Sequence, residues 1–209
     1  GDARYITYIS YADNLVTGDT NYMSDVFRYD RTTGETIRIS VNSEGVQGNL
    51  NTDKGINNIS NDGSIIVFAS LSQNMTAQDY NDTYDIFVRD VNTNTTSAIS
   101  LYETLTPTAP NGSSRNASVS DDGRFVVYES YAQNLTTDAD NFSTNIYLYD
   151  RQTATTTLIT KGLNGVLANG YSSAPVISGD GNTVIFESSA YNLIANDTNN
   201  QEDLFLYDR

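Results

Sequence analysis

The stretch SDDGRFVVYES, residues 120–130, joins a tight-turn sequence to a run of β-branched and aromatic residues. Asp-Gly beside such a run is a strong signal for a β-hairpin. The stretch therefore predicts a hairpin whose second strand starts near residue 124.

The same stretch recurs along the chain, together with three other anchors. Ser-x-Asp-Gly begins at Ser60, Ser120 and Ser178, at spacings of 60 and 58, and Gly1-Asp2 falls one period earlier. The second anchor is Asn followed by Leu or Met, at Asn14, Asn74, Asn134 and Asn192. The third is a strand-like hexamer at Asp25–Asp30, Asp85–Asp90, Asn145–Asp150 and Asp203–Asp208, and the fourth is a Thr-rich run at Thr36–Ser40, Thr96–Ser100 and Thr156–Thr160. Anchors in one order at a nearly fixed period indicate a repeat protein.

Each repeat reads as four short strands with no sustained helical periodicity. The fold class predicted is all-β: β-propeller blades of four antiparallel strands, about 3.5 blades and 14 strands. Residues 1–209 form one domain in this interpretation, with repeats at 1–60, 61–120, 121–178 and 179–209.

The first and last blades are predicted to be incomplete. Position 1 enters at the Asp-Gly turn, so the first blade lacks its innermost strand, and Arg209 aligns with Arg31 and Arg151, so the last blade lacks its outermost strand. Joining the two ends in register needs about 30 more residues. Unpaired strand edges invite pairing. Three outcomes stay open: a part of a longer propeller, association with copies of itself, and a strained small propeller.

The composition excludes several function classes. The chain has 11 Lys+Arg against 26 Asp+Glu, a net charge of -15, which argues against binding nucleic acid. Without Cys or His it has neither thiolate nor imidazole for a transition metal. No run approaches the ~20 apolar residues of a membrane span, so no membrane insertion is expected. We expect a secreted or cell-surface protein, with the periplasm as the alternative, and a processed segment or a piece of a longer chain.

The succession Ser-x-Asp-Gly-Arg, an apolar strand ending in Ser, Asn-Leu, and Asp-apolar-Phe resembles the WD40-like PD40 repeat of TolB-type β-propellers. The resemblance covers nearly the whole chain. It implies a propeller with the strand that ends at the motif serine innermost, and it implies no single activity, because such propellers serve as binding domains, scaffolds and gating domains.

The loop between the second and third strands carries a recurring Asp-x-Asn-x-x-x-Asp pattern. Oxygen ligands at this spacing suit a hard cation such as Ca²⁺, and the alternative is an Asx-turn that binds nothing. The third copy departs from the pattern, with Ala139 at the first Asp position and Asn141 and Asn145 further on. The candidate ligands are Asp19, Asn21, Asp25, Asp79, Asn81, Asp85, Asp138, Asp140, Asp197, Asn199 and Asp203.

No catalytic apparatus is recognisable, so we expect that the protein is not an enzyme. A Ser-His-Asp triad is impossible without His, and Ser-x-Asp-Gly recurs in every repeat as a turn would. The glutamates at 44, 103, 129, 187 and 202 show no recurring pairing. The aromatic residues at equivalent strand positions are interpreted as stacking between blades.

Three functions follow from these observations. The first is a structural protein that self-assembles with copies of itself through open blade edges into a ring or filament, stabilised by Ca²⁺ if the loops bind it. The second is a propeller module that binds another surface protein or a glycan, for which irregularly placed tyrosines are candidates. The third is the propeller fragment of a larger enzyme.

Overall fold

The computed structural model describes residues 4–53, 58–77, 81–101, 110–138 and 141–209. These residues form strands and loops, with one short 3₁₀ turn at Leu163–Gly165. The strands of the described residues are β1 (Tyr5–Ser10), β2 (Asp25–Asp30), β3 (Glu35–Arg38), β4 (Asn58–Ile59), β5 (Ile65–Ser70), β6 (Asp85–Asp90), β7 (Thr95–Ala98), β8 (Ser114–Val119), β9 (Phe125–Ser130), β10 (Asn145–Asp150), β11 (Thr155–Leu158), β12 (Ser172–Ile177), β13 (Thr183–Ser188) and β14 (Asp203–Asp208). The prediction of an all-β chain with 14 strands is confirmed. None of the described residues belongs to a helix long and apolar enough to cross a membrane.

The strands form four antiparallel sheets, which we call blades 1 to 4 in chain order. Blade 1 has the order β1-β2-β3, blade 2 β4-β5-β6-β7, blade 3 β8-β9-β10-β11 and blade 4 β12-β13-β14. Blades 2 and 3 have four strands each, whereas in the described residues β1 and β14 are edge strands of three-stranded sheets. The architecture is a β-propeller of four-stranded blades with an incomplete first and last blade, as the repeat predicts.

The Ser-x-Asp-Gly motif forms the hairpin turn that the sequence predicts. The Ser120 hydroxyl donates to Asp122 at 2.6 Å and accepts the Phe125 N–H at 3.0 Å. Gly123 has φ +71°, where a side chain is disfavoured. The hydroxyl also lowers the pKa of the Asp122 carboxyl. The same side-chain bonds recur in the turns that begin at Ser60 and Ser178, so serine and aspartate both serve the turn.

Each of these turns packs against the preceding blade. A Cβ atom added to Gly123 would lie 2.6 Å from Ile65 of blade 2, and one added to Gly181 would lie 2.6 Å from Phe125 of blade 3. The motif glycine is therefore required twice, by its backbone conformation and by the contact between blades.

The hydrophobic core lies between the blades. Val127, Ile146 and Leu148 of blade 3 pack in one buried cluster with Val184 and Phe186 of blade 4. The equivalent positions of blades 2 and 3 form a second such cluster. We call the face of a blade that contacts the next blade its leading face and the opposite face its trailing face.

The innermost strands supply much of each junction and carry a feature that the sequence did not predict. β8 contacts the strands of blade 2, and β12 contacts those of blade 3. Both strands contain a β-bulge, at which Asn116 and Ala174 have φ +51°. The Ala174 N–H donates to Glu129 of blade 3 at 3.0 Å. One of the five glutamates named in the sequence analysis therefore accepts a hydrogen bond from the bulge of the next blade.

The aromatic residues of the second and third strands stack within a blade, and this corrects the sequence-based interpretation. The rings of Tyr128 and Tyr147, on neighbouring strands β9 and β10, have centroids 5.8 Å apart and nearly parallel planes. Three further pairs have the same geometry: Tyr8 with Phe27, Phe68 with Phe87, and Phe186 with Phe205. Cross-strand neighbours on one face of a sheet lie closer together than residues of different sheets, so the rings stack within a blade. The stacked pair Tyr128–Tyr147 then packs against blade 2.

Candidate functional site

The Asp-x-Asn loops form an Asx-turn in all four copies. In copy one the Asn21 side-chain oxygen accepts the Met23 N–H at 3.0 Å, and Tyr22 between them has φ +58°. The same bond joins Asn81 to Thr83, Asn141 to Ser143 and Asn199 to Gln201 at 2.9 to 3.2 Å. The backbone thus uses the amide oxygen that the calcium prediction assigns to the metal.

The side-chain nitrogens of the recurring asparagines donate hydrogen bonds from two neighbouring blades to the segment of chain that connects those blades. Asn21 of blade 1 donates to the Gly48 carbonyl at 2.8 Å, and Asn74 of blade 2 donates to the Gln47 carbonyl at 2.8 Å. Equivalent bonds run from Asn81 to Pro110, from Asn141 to Ala168 and from Asn192 to Leu167. This network explains why two asparagines recur at fixed spacing. The sequence showed the spacing, but only the fold shows that both residues meet one connection.

In copy one an arginine occupies the centre of the predicted calcium site. The Arg38 guanidinium lies 3.3 Å from Asp19 and 3.5 Å from Asp25, and all three side chains are buried. Ser40 donates a hydrogen bond to the other oxygen of Asp25. Burial raises the pKa of Asp25, and the bond from Ser40 and the charge of Arg38 oppose that rise. Asp19 and Asp25 of copy one therefore both form an ion pair with Arg38.

In copy two the buried Asp85 accepts a hydrogen bond from the Ser100 hydroxyl at 2.9 Å. Asn81 takes part in the turn and in the bond to Pro110. Asp79 lies outside the described residues.

In copy three Asp138 forms an ion pair with Lys161 at the surface. The Thr160 hydroxyl donates to Asn145 at 3.0 Å, the same contact that Ser100 makes with Asp85. Asp140 lies outside the described residues.

Copy four is the open member of the set. Asn199 donates to both carboxylate oxygens of Asp203 at 2.9 and 3.1 Å. These two residues, with Asp197, Leu204 and Leu206, line a groove of about 480 Å³ beside β14.

The described residues contain no group of three or more His, Cys, Asp or Glu side chains that could hold a metal ion. Calcium binding by the loops stays a prediction. The same holds for the expectation that the protein is not an enzyme.

The leading face of blade 4 exposes apolar residues that the other blades bury. Leu204 and Leu206 are 68% and 69% exposed, whereas their counterparts Ile146 and Leu148 in blade 3 are buried by blade 4. Val176 and Ile185 are also exposed on this face. The four residues Val176, Ile185, Leu204 and Leu206 are called the open face below.

The trailing face of blade 1 is a partial complement to the open face. Ile6 is 47% exposed, whereas Val126 and Val184, its counterparts in blades 3 and 4, are fully buried. Tyr8 beside it is half-buried, while Tyr128 at the same place in blade 3 is buried.

Exposed aromatic rings collect at one end of the blades. The six exposed aromatic side chains of the described residues all lie in the loops that follow the second strand or precede the third or the first: Tyr11, Tyr22, Tyr131, Phe142, Tyr171 and Tyr191. The end with the Ser-x-Asp-Gly turns has none among the described residues. Several tyrosines that the sequence marked as irregular are therefore grouped by the fold.

Comparison with solved structures identifies the fold. The chain is similar to TolB from Acinetobacter baumannii, with a TM-score of 0.56 and 16% identity over 99% of this chain and 39% of that one. It is similar to a putative TolB from Agrobacterium tumefaciens, with a TM-score of 0.53 and 14% identity over 88% and 51%. An oligogalacturonate lyase from Vibrio parahaemolyticus gives a TM-score of 0.54 and 11% identity over 90% and 43%.

These likenesses establish a TolB-like β-propeller fold, and the chain spans about two fifths to one half of the length of the three structures. No family model matches the sequence, and no curated protein does. The TolB-type part of the sequence resemblance is thus supported by structure, and the PD40 repeat itself is matched by no family model.

Proposed function

We propose that this protein is a non-catalytic, structural propeller module that associates with a second copy of itself through the open face. The observation that carries the proposal is the exposure of Leu204 and Leu206 at positions where blades 2 and 3 bury their residues. The same positions form the junctions inside the chain, so the contact continues a packing mode already present three times.

The second copy presents a suitable surface. Ile6 and Tyr8 on the trailing face of its blade 1 stand where Val126 and Tyr128 receive blade 2. The innermost strand that fills the inner half of the other junctions is absent from the described blade 1. We therefore expect contact along the outer half of the face, centred on Leu204 and Leu206.

The energetics favour a weak complex. Burying an apolar side chain gains about 1.5–3 kcal/mol, whereas association costs roughly 4–15 kcal/mol. Two copies, each with a net charge of -15, also repel each other at low salt. Association should thus depend on concentration and increase with salt. Two head-to-tail copies bring eight blades together, at the upper end of the usual four to eight of a closed ring.

Sedimentation velocity over a range of concentrations tests the proposal. We expect a species of about twice the 22.9 kDa chain, populated more at high NaCl. Leu206→Asp should abolish it, while Leu163→Asp, at an exposed leucine in the 3₁₀ turn, should leave it intact. A monomer at every concentration and salt would overturn the proposal.

Calcium and location are further parts of the proposal. If copy four binds Ca²⁺, chelation should lower the melting temperature, and a hundredfold excess over Kd should add about 2.7 kcal/mol of stability. Asp203→Asn should remove that response. An unchanged melting curve with EGTA refutes calcium binding. The acidic composition, with a net charge of -15, supports a location at the cell surface or in the secreted fraction, which fractionation of the source cells would check.

A second candidate function is supported by the six exposed aromatic rings at one end of the blades. Aromatic faces bordered by asparagine side chains suit a glycan or another surface protein. Binding to an immobilised glycan panel that is lost in Tyr171→Ala and Tyr191→Ala, and kept in Leu206→Asp, would favour this function over self-association.

A further inference from the structure

Three asparagines of the chain are followed directly by glycine: Asn111, Asn164 and Asn169. Asparagine is among the thermolabile residues of proteins. The backbone nitrogen of the next residue can attack the side-chain carbonyl carbon, and glycine permits this attack best because it lacks Cβ and has the widest range of backbone conformations. As sequences the three pairs are equally susceptible, so only their surroundings distinguish them.

Hydrogen bonds hold the side chains of Asn111 and Asn169, which occupy equivalent positions of two repeats. The side-chain oxygen of Asn111 accepts the Gln133 N–H at 2.7 Å, and that of Asn169 accepts the Tyr191 N–H at 3.1 Å. The glycines that follow are packed closely, because a Cβ atom added to them would lie 2.9 and 2.6 Å from a backbone nitrogen of the same blade. An attack at these two sites therefore requires that the contacts first open.

Asn164 is exposed in the 3₁₀ turn of the connection between blades 3 and 4. No described residue forms a hydrogen bond with its side chain, and a Cβ atom added to Gly165 would meet nothing within 4 Å. The Gly165 N–H donates to the Gly162 carbonyl at 3.1 Å, and the Val166 N–H donates to Leu163 at the long distance of 3.5 Å. A surface turn with exposed backbone bonds opens at a low cost in free energy, which frees the Gly165 nitrogen for the attack.

We propose that Asn164 is a site of spontaneous deamidation in the folded protein, whereas the fold protects Asn111 and Asn169. The Gly165 nitrogen forms a bond to Cγ of Asn164 and loses its proton, and the side-chain nitrogen takes up a proton and leaves as ammonia. Water then opens the resulting cyclic imide. Hydrolysis at the side-chain carbonyl gives aspartate, and hydrolysis at the main-chain carbonyl gives isoaspartate, in which the backbone runs through Cγ.

The first repeat shows that this turn accepts an acidic side chain. Its connection has Glu44 and Gly45 at the equivalent positions, and the Gly45 N–H makes the same turn bond at 3.0 Å with a positive φ. Aspartate at position 164 should therefore leave the stability unchanged. Isoaspartate inserts a methylene group into the backbone and should weaken the contact of the connection with blade 4, in which the Leu163 N–H donates to the Asn192 carbonyl at 3.3 Å. Both products add a negative charge to a chain of net charge -15.

Peptide mapping by mass spectrometry tests the inference on the full chain during incubation in mildly alkaline buffer. We expect deamidation at Asn164 to be at least about tenfold faster than at Asn111 or Asn169, because the other two sites must first break their hydrogen bonds. Methylation by an enzyme specific for isoaspartate identifies that isomer. In concentrated urea the three sites should react at similar rates, since the protection depends on the fold.

Two variants serve as controls for the site. Asn164→Asp carries one product from the start, and should melt with the wild type and migrate with its acidic form on isoelectric focusing. Asn164→Gln should form that acidic species much more slowly. Equal rates at the three sites of the folded protein, or a reaction at Asn164 only in urea, would overturn the inference. The turn lies outside the open face, so these results are independent of the proposed self-association.

Discussion

The leading faces of blades 3 and 4 have the same sequence pattern and opposite surroundings. Ile146 and Leu148 in β10 and Leu204 and Leu206 in β14 occupy the same positions of the third strand. The first pair is buried under blade 4, and the second pair is exposed. Residue type is therefore set by the repeat, whereas the energetic role of the residue is set by what lies against it.

The largest contrast is expected from truncating one leucine in each face. Leu148→Ala should cost about 2–5 kcal/mol of unfolding free energy, because it leaves a cavity between blades 3 and 4. Leu206→Ala should change stability by less than about 0.5 kcal/mol at protein concentrations where the chain is monomeric. Urea unfolding followed by circular dichroism measures both. Equal losses would show that blade 4 is covered in solution.

A second contrast tests how tightly blade 4 packs on blade 3. Gly181→Ala places a methyl group 2.6 Å from the Phe125 ring at φ +73°, and should cost about 1–3 kcal/mol beyond the conformational penalty. Gly165→Ala has nearly the same φ, +75°, and open space around it, so it should show only that conformational penalty of about 1–2 kcal/mol. Similar melting temperatures for the two variants would contradict the close contact.

A third contrast concerns the asparagine network. Asn141→Ala in blade 3 removes the Asx-turn bond to Ser143 and the bond to the Ala168 carbonyl, and should cost about 1–3 kcal/mol. Asn199→Ala in blade 4 removes exposed bonds and should cost less than about 1 kcal/mol. Thermal unfolding of the two variants under one condition measures the difference. A larger loss for Asn199→Ala would argue that its loop binds a ligand.

The smallest effect is expected from acid titration of an arginine–aspartate pair. Arg124 binds both oxygens of Asp150 in blade 3 and lowers the pKa of that carboxyl to about 2. Because the folded pKa lies below the unfolded value, the pair stabilises the protein above about pH 4, and this contribution is lost as the pH falls towards 2. The difference in stability between wild type and Arg124→Ala should therefore shrink over that range. Blade 4 has Asn182 at this position, and Asn182→Ala should show a smaller pH dependence. A difference that stays constant from pH 7 to pH 2.5 would remove Asp150 as its cause.

The strand pattern was predictable because each blade repeats strong local signals. The turn at Ser120, the strand Phe125–Ser130 and the total of 14 strands all agree with the sequence-based prediction. The fourth strands end two residues earlier than predicted, at Arg38, Ala98 and Leu158. Beyond each of these ends, the next isoleucine donates its N–H to a carbonyl of the third strand. The hydroxyl residue after it accepts an N–H of the same strand through its side chain. The bulges at Asn116 and Ala174 were not predicted, because no local residue preference demands them.

The loop residues show the limit of reasoning from spacing. Asp19, Asn21 and Asp25 have a spacing that suits a cation, and the pattern alone left calcium and an Asx-turn open. The structure brings Arg38, from a different strand, between the two acids. A residue 13 positions away from Asp25 cannot be assigned to such a site from spacing alone.

By itself the sequence determined the number of strands, the order of the anchors and the hairpin turns, because these depend on backbone preferences and alternation within a few residues. Only the tertiary structure decided which apolar residues are covered, which acids meet a cation and where the exposed rings collect. Those properties depend on contacts between blades about 60 residues apart in the chain. The strands β10 and β14 have the same alternation of apolar residues, but among the described residues only β10 has a blade packed against its leading face.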